Sequence, residues 1–118
     1  RKKPKGFGRD ARIEGAIETG QRALLVEDLA TDGGSKLSFV DGLREAGAEV
    51  AHVFVVFHYG VFPQSVTSSA EKGCALHALA TWWDVLAVAE ADGRLDAAQA
   101  AEARRFLEDP DGWAPATA

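Results

Sequence analysis

Residues 23–36 read ALLVEDLATDGGSK, and they limit the fold more than any other stretch of the chain. An apolar run rich in Leu and Val, of strand rather than helix length, occupies 22–27. It ends on two adjacent carboxylates, Glu27 and Asp28. A Thr-Asp-Gly-Gly-Ser turn follows, and then an amphipathic helix begins. Carboxylates at the carboxyl end of a strand, a glycine turn and a helix N-terminus together make the ligand crevice of open α/β sheets. Backbone N–H groups in such a turn and the helix dipole favour an anion, most naturally a phosphate. Gly33 and Gly34 let the chain curl round it without Cβ clashes, and Thr31 and Ser35 add hydroxyl donors. Neither common phosphate loop is present: there is no Gly-x-x-x-x-Gly-Lys and no Gly-x-Gly-x-x-Gly. The plainer alternative is a solvated βα turn with incidental acids.

The rest of the chain builds around this unit. Ile13 to Gln21 alternates enough to predict a short strand or hairpin ending at Gly20. Residues 36–46 carry apolar side chains at 37, 39, 40 and 43, which is helical spacing, with Ser35 or Asp32 as N-cap and Gly47 just beyond the end. Val50 to Tyr59 is β-branched and aromatic and predicts a second strand, buried on both faces. Strand, helix and strand over this length make a βαβ unit with parallel strands. Gly60 to Pro63 reads as a loop, Ser65 to Lys72 as a short helix stopped by Gly73, and Cys74 to Leu79 as a third strand. Residues 81–91 predict a helix capped by Thr81 with Asp84 three residues on. A last helix spans 95–107 with Asp96 at its start, and 109–118 reads as a frayed tail.

Length and charge set further bounds. With 118 residues the chain is one domain at most, and 47% hydrophobic residues is ordinary for a globular protein. A net charge of −5 argues against nucleic acid as a partner of the whole surface, although the first twelve residues hold six Lys or Arg and one Asp. That segment, RKKPKGFGRDAR, has two glycines and a proline, and composition alone reads it as a solvated flexible tail or a basic arm. The single Cys74 rules out an internal disulfide and fits a reducing compartment, hence a cytoplasmic location. No run approaches the ~20 apolar residues that span a bilayer, so no membrane partner is expected. No initiator Met is present, and Arg1-Lys2-Lys3 reads like the middle of a domain.

The acid pair and the Thr-x-Gly-x-Ser loop resemble the phosphoribosyl-diphosphate (PRPP) signature of the type I phosphoribosyltransferases. Arg1-Lys2-x-x-Lys5-x-Phe7-Gly8 is similar to the mobile basic loop of the orotate phosphoribosyltransferases, with Phe7 where many members carry His. The helix–Gly47–strand spacing and the Thr-Trp-Trp-Asp helix also resemble the C-terminal half of that family. The resemblance implies a Rossmann-like α/β fold with a mainly parallel sheet and a missing N-terminal half that bears the base-binding hood. It implies transfer of phosphoribose from PRPP to orotate, giving orotidine 5′-monophosphate and diphosphate. It further implies Mg²⁺ held mainly through PRPP, with no metal site of protein ligands, and a homodimer. By the same resemblance, PRPP is bound by Arg1, Lys2, Lys5, Glu27, Asp28, Leu29, Ala30, Thr31, Asp32, Gly33, Gly34 and Ser35. Lys5, Glu27 and Asp28 would be catalytic, and Thr31 and Tyr59 would face orotate. Tyr59 stands where the family usually has an Arg for the orotate carboxylate, and Asp32 where many members have Ala. An isolated half would be inactive. Two rivals stay open, a purine-using phosphoribosyltransferase and a non-catalytic regulator of the same fold that senses nucleotides or binds RNA.

Other conspicuous residues have plain readings. His52, His58 and His77 show no metal-ligand spacing and read as core or surface histidines. Cys74 reads as a small buried hydrophobe. Trp82 and Trp83 read as packing or dimer residues, with one of the two facing outward.

Overall fold

A computed structural model describes residues 13–32 and 34–114, with backbone alone for 34–36. The chain runs β1 (Arg22–Ala30), α1 (Gly34–Glu45), β2 (Glu49–His58), α2 (Pro63–Glu71), β3 (Ala75–Thr81), α3 (Trp82–Ala91) and α4 (Ala97–Glu108). Among the described residues the sheet has three strands in the order β1-β2-β3, all parallel. The expected βαβ unit is thus present, as an α/β fold with a parallel sheet.

Register explains which residues share a face. Leu25, Val53 and Leu76 are cross-strand partners, and on their side Ala23, Val53 and Val55 pack with Val40 and Leu43 of α1 and with Cys74. Helix α2 lies beside α1, tied by Lys72 Nζ to Asp41 at 3.0 Å. On the opposite face Leu24 pairs with His52, and Val26 with Phe54, which pairs in turn with His77. No described element covers that face: Leu24 is 56% exposed, Val26 60%, Val56 51% and Leu79 71%. β2 is therefore not buried on both faces as expected. An apolar parallel strand needs a layer on each side, and the described helices supply one. A second cluster of Val61, Leu86, Ala100 and Leu107 joins α3 and α4 below the β2–α2 turn.

Helix ends follow local chemistry. Gly47 (φ +97°) closes α1, with its N–H on Arg44 O at 2.9 Å and Ala48 N–H on Leu43 O at 3.1 Å. Thr81 and Asp84 form the expected reciprocal cap of α3, and Asp96 with Gln99 does the same for α4. α2 starts two residues earlier than predicted, because Pro63 suits the first helical position.

The strand or hairpin expected over 13–21 is absent. Gly15 (φ +112°) and Gly20 (φ +82°) break the extended backbone. The segment is instead held by Gly20 N–H on Gly47 O at 2.8 Å and by Glu49 N–H on Gln21 O at 2.9 Å. Past α4, Trp113 folds back, donating from Nε1 to Glu102 Oε1 at 2.9 Å and meeting Phe106 edge to face at 5.6 Å.

Candidate functional site

β1 runs three residues beyond the predicted strand end, because Leu29 and Ala30 pair with Phe57 and His58. The acid pair consequently lies inside the strand, and strand alternation sends its two members to opposite faces. Glu27 is half-buried on the α1 side, in a hollow of about 270 Å³ that it shares with Leu25, Ser38, Phe39 and Leu43. Asp28 is exposed, on the side of Leu24 and Val26. Leu29 is 39% exposed and Ala30 is buried at 1%.

Beyond the strand, Thr31 is half-buried and Asp32 exposed. α1 begins at Gly34, so Ser35 stands within its first turn and is not the N-cap. The first turn of a helix carries N–H groups with no partner inside the helix, and their dipoles favour an anion there. Gly33, Arg1, Lys2, Lys5 and Phe7 lie outside the described residues, as does the side chain of Ser35.

The neighbouring β2–α2 turn is fixed beside this loop. Tyr59 N–H donates to Ala30 O at 2.9 Å, one residue before Thr31. Phe57, Tyr59 and Trp82 form an edge-to-face aromatic cluster, with ring centroids 5.1 to 6.2 Å apart. Trp82 is the outward member of the tryptophan pair at 38% exposed, whereas Trp83 turns in and donates from Nε1 to Gly60 O at 3.1 Å. Cys74 is buried and free, as expected.

The histidines divide by environment. His52 Nδ1 and His77 Nε2 are 3.0 Å apart on the open sheet face. His58 is buried, and its Nε2 lies 2.8 Å from Ser65 Oγ. Desolvation lowers the His58 pKa below the usual imidazole value. Sequence reasoning did not connect His58 with Ser65. One ends β2 and the other lies in the first turn of α2, so no single periodicity links them.

Among the described residues no group of three His, Cys, Asp or Glu side chains could hold a metal ion. The site elements found among the described residues are thus two carboxylates in the C-terminal half of β1, the start of α1 and an aromatic-lined turn, at the carboxyl side of a parallel sheet.

Comparison with known proteins decides among the families that use such an edge. No family model matches the chain. An orotate phosphoribosyltransferase of Cereibacter sphaeroides is 60% identical over 113 residues, covering 96% of this chain and 49% of the relative. This chain belongs to the orotate phosphoribosyltransferase family. It corresponds to the C-terminal portion of such enzymes and spans about half the length of the curated relatives it matches. UMP synthase from Leishmania donovani superposes with a TM-score of 0.70 at 25% identity, over 86% of this chain and 22% of that one. Orotate phosphoribosyltransferase from Aeropyrum pernix superposes with a TM-score of 0.60 at 28% identity, over 78% of this chain and 49% of that one. Both likenesses agree with a type I phosphoribosyltransferase fold.

Proposed function

We propose that the full-length protein transfers phosphoribose from PRPP to orotate, producing orotidine 5′-monophosphate and diphosphate for pyrimidine biosynthesis. The observation that carries this reading is the β1–turn–α1 edge, with Glu27, Asp28 and the glycine turn, in a chain 60% identical to an orotate phosphoribosyltransferase. In the reaction an orotate ring nitrogen attacks the ribose C1, and the C1–O bond breaks with its electron pair leaving on diphosphate. The nitrogen gives up its proton.

The roles follow from chemistry. Backbone N–H groups of Thr31 to Ser35 and the start of α1 bind the 5-phosphate. Glu27 and Asp28 accept from the ribose hydroxyls, and their charge stabilises the cationic ribosyl group as the bond breaks. Arg1, Lys2 and Lys5 neutralise the departing diphosphate. Leu29 and Ala30 carry the chain from the ribose to the phosphate, and Asp32 turns to solvent. Tyr59 and Thr31 border the acceptor base. Magnesium, when bound, adds positive charge against the diphosphate. Such an ion would be held largely by phosphate and ribose oxygens, with a carboxylate of the acid pair alongside. The same reading makes the protein a cytoplasmic homodimer with no nucleic-acid or membrane partner, and makes the isolated 118-residue stretch inactive.

The test is diphosphate release by the full-length protein with PRPP and Mg²⁺. Release that depends on orotate is expected. Release with hypoxanthine or adenine instead would transfer the assignment to a purine enzyme, and no release with any base would leave the non-catalytic regulator.

A further inference from the structure

We infer that His58 and Ser65 are positioning residues that set the Tyr59–Phe62 turn against the phosphoribosyl loop. The part of this inference that concerns orotate rests on the function proposed above; the geometry of the pair stands independently.

The hydrogen bonds have a defined direction. Ser65 Oγ donates its one proton to Phe62 O at 2.8 Å. At His58 Nε2, 2.8 Å away, the same oxygen must accept, so His58 carries its proton on Nε2. The result is a relay, His58 N–H to Ser65 O–H to Phe62 C=O, buried at His58 and Ser65 and part-buried at Phe62. It joins the last residue of β2 to the last residue before α2 and so clamps both ends of a four-residue turn.

Other bonds hold the middle of the turn. Trp83 Nε1 donates to Gly60 O at 3.1 Å, Tyr59 N–H donates to Ala30 O at 2.9 Å, and Val61 is buried in the second cluster. Gly60 adopts φ +69°, and a Cβ there would meet Thr81 at 3.3 Å. These contacts hold the middle of the turn, and its tie to Ala30 sets Tyr59 beside the strand end.

Helix capping does not account for Ser65. The N-cap residue of α2 is Phe62, which makes no side-chain cap bond, so the hydroxyl in the first turn is spent on the preceding turn and the histidine. Losing the hydroxyl leaves a buried imidazole N–H without a partner and unties Phe62 from His58, so the two ends of the turn are no longer held together.

The test uses the full-length protein with Ser65→Ala and His58→Leu, which remove the relay, and His58→Gln, whose amide N–H can replace it. Amide hydrogen exchange across 59–62 should accelerate about tenfold or more in the first two and stay near wild type in His58→Gln. The orotate KM should rise about tenfold in the first two, while the PRPP KM changes less than about twofold. Parallel rises in both KM values, unchanged exchange, or a His58→Gln as impaired as His58→Leu would each overturn the inference. If wild type shows no orotate turnover, the proposed function fails, and exchange still decides whether the pair holds the turn.

Discussion

Two glycines with similar backbones and different surroundings isolate what anchors the base of β1. Gly47 has φ +97° and Gly73 has φ +70°. Alanine at either would carry left-handed strain of about 1–2 kcal/mol, less about 0.4–1 kcal/mol recovered from a stiffer unfolded chain. At Gly73 that is the whole cost, roughly 0.5–1 kcal/mol, because nothing lies within 4 Å of the new methyl. At Gly47 the methyl would stand 3.1 Å from Thr19 Oγ1 and 3.2 Å from Thr19 Cα. Thr19 cannot recoil freely, since the next residue donates to Gly47 O and Gln21 O accepts from Glu49. Overpacking adds about 1–3 kcal/mol, so Gly47→Ala should cost roughly 2–3 kcal/mol in all. Urea titration should show the midpoint of Gly47→Ala well below that of Gly73→Ala at equal slope, with Tm lower by about 4 °C per kcal/mol. Equal midpoints, within about 0.5 kcal/mol, would refute the idea that 19–21 is pinned against the α1–β2 turn.

Three more outcomes are expected. Asp28→Asn in the full-length protein should lower kcat by about tenfold or more with a smaller effect on PRPP affinity, read from steady-state kinetics; an unchanged kcat would reduce Asp28 to a structural role. Lys5→Ala should slow the chemical step while leaving thermal stability unchanged, as read from single-turnover rates and a melting curve. Burial holds the folded pKa of His58 below its unfolded value, so below about pH 6.5 the unfolded chain binds more protons. Stability should be flat above that pH and fall as pH drops toward the folded pKa, and His58→Gln should flatten this slope in urea titrations.

The β1–α1–β2 unit was legible because its signals are local. An apolar run, a glycine turn, helical spacing at 37, 39, 40 and 43, and Gly47 each act within a few residues, and all point the same way. The caps at Thr81 and Asp96 were legible for the same reason. What escaped depends on partners distant in sequence. Leu29 and Ala30 become strand only by pairing with Phe57 and His58. The apolar run of β2 predicts cover on two faces, but nothing in that run says which layers are at hand. The approach of Tyr59 to Ala30 and the His58–Ser65 bond both came from coordinates alone.

The split acid pair links the open sheet face to the chemistry. Glu27 lies on the face that α1 covers, while Asp28 shares the face of Leu24 and Val26. A carboxylate about 4 Å from a developing positive charge contributes roughly 1 kcal/mol in bulk water and about 4 kcal/mol at an effective dielectric of 20. Glu27 is half-buried in the hollow against α1 and so is better shielded from bulk water than Asp28. Asp28 gains such shielding only when a further layer lies over Leu24, Val26, Val56 and Leu79, the same layer that an apolar parallel sheet requires for stability. Covering that face would therefore do two things at once. It would remove apolar surface from water, and it would raise the electrostatic effect of one of the two carboxylates on the ribosyl cation. The charge of Asp28 should then matter more to kcat in the full-length protein than its exposed position here implies.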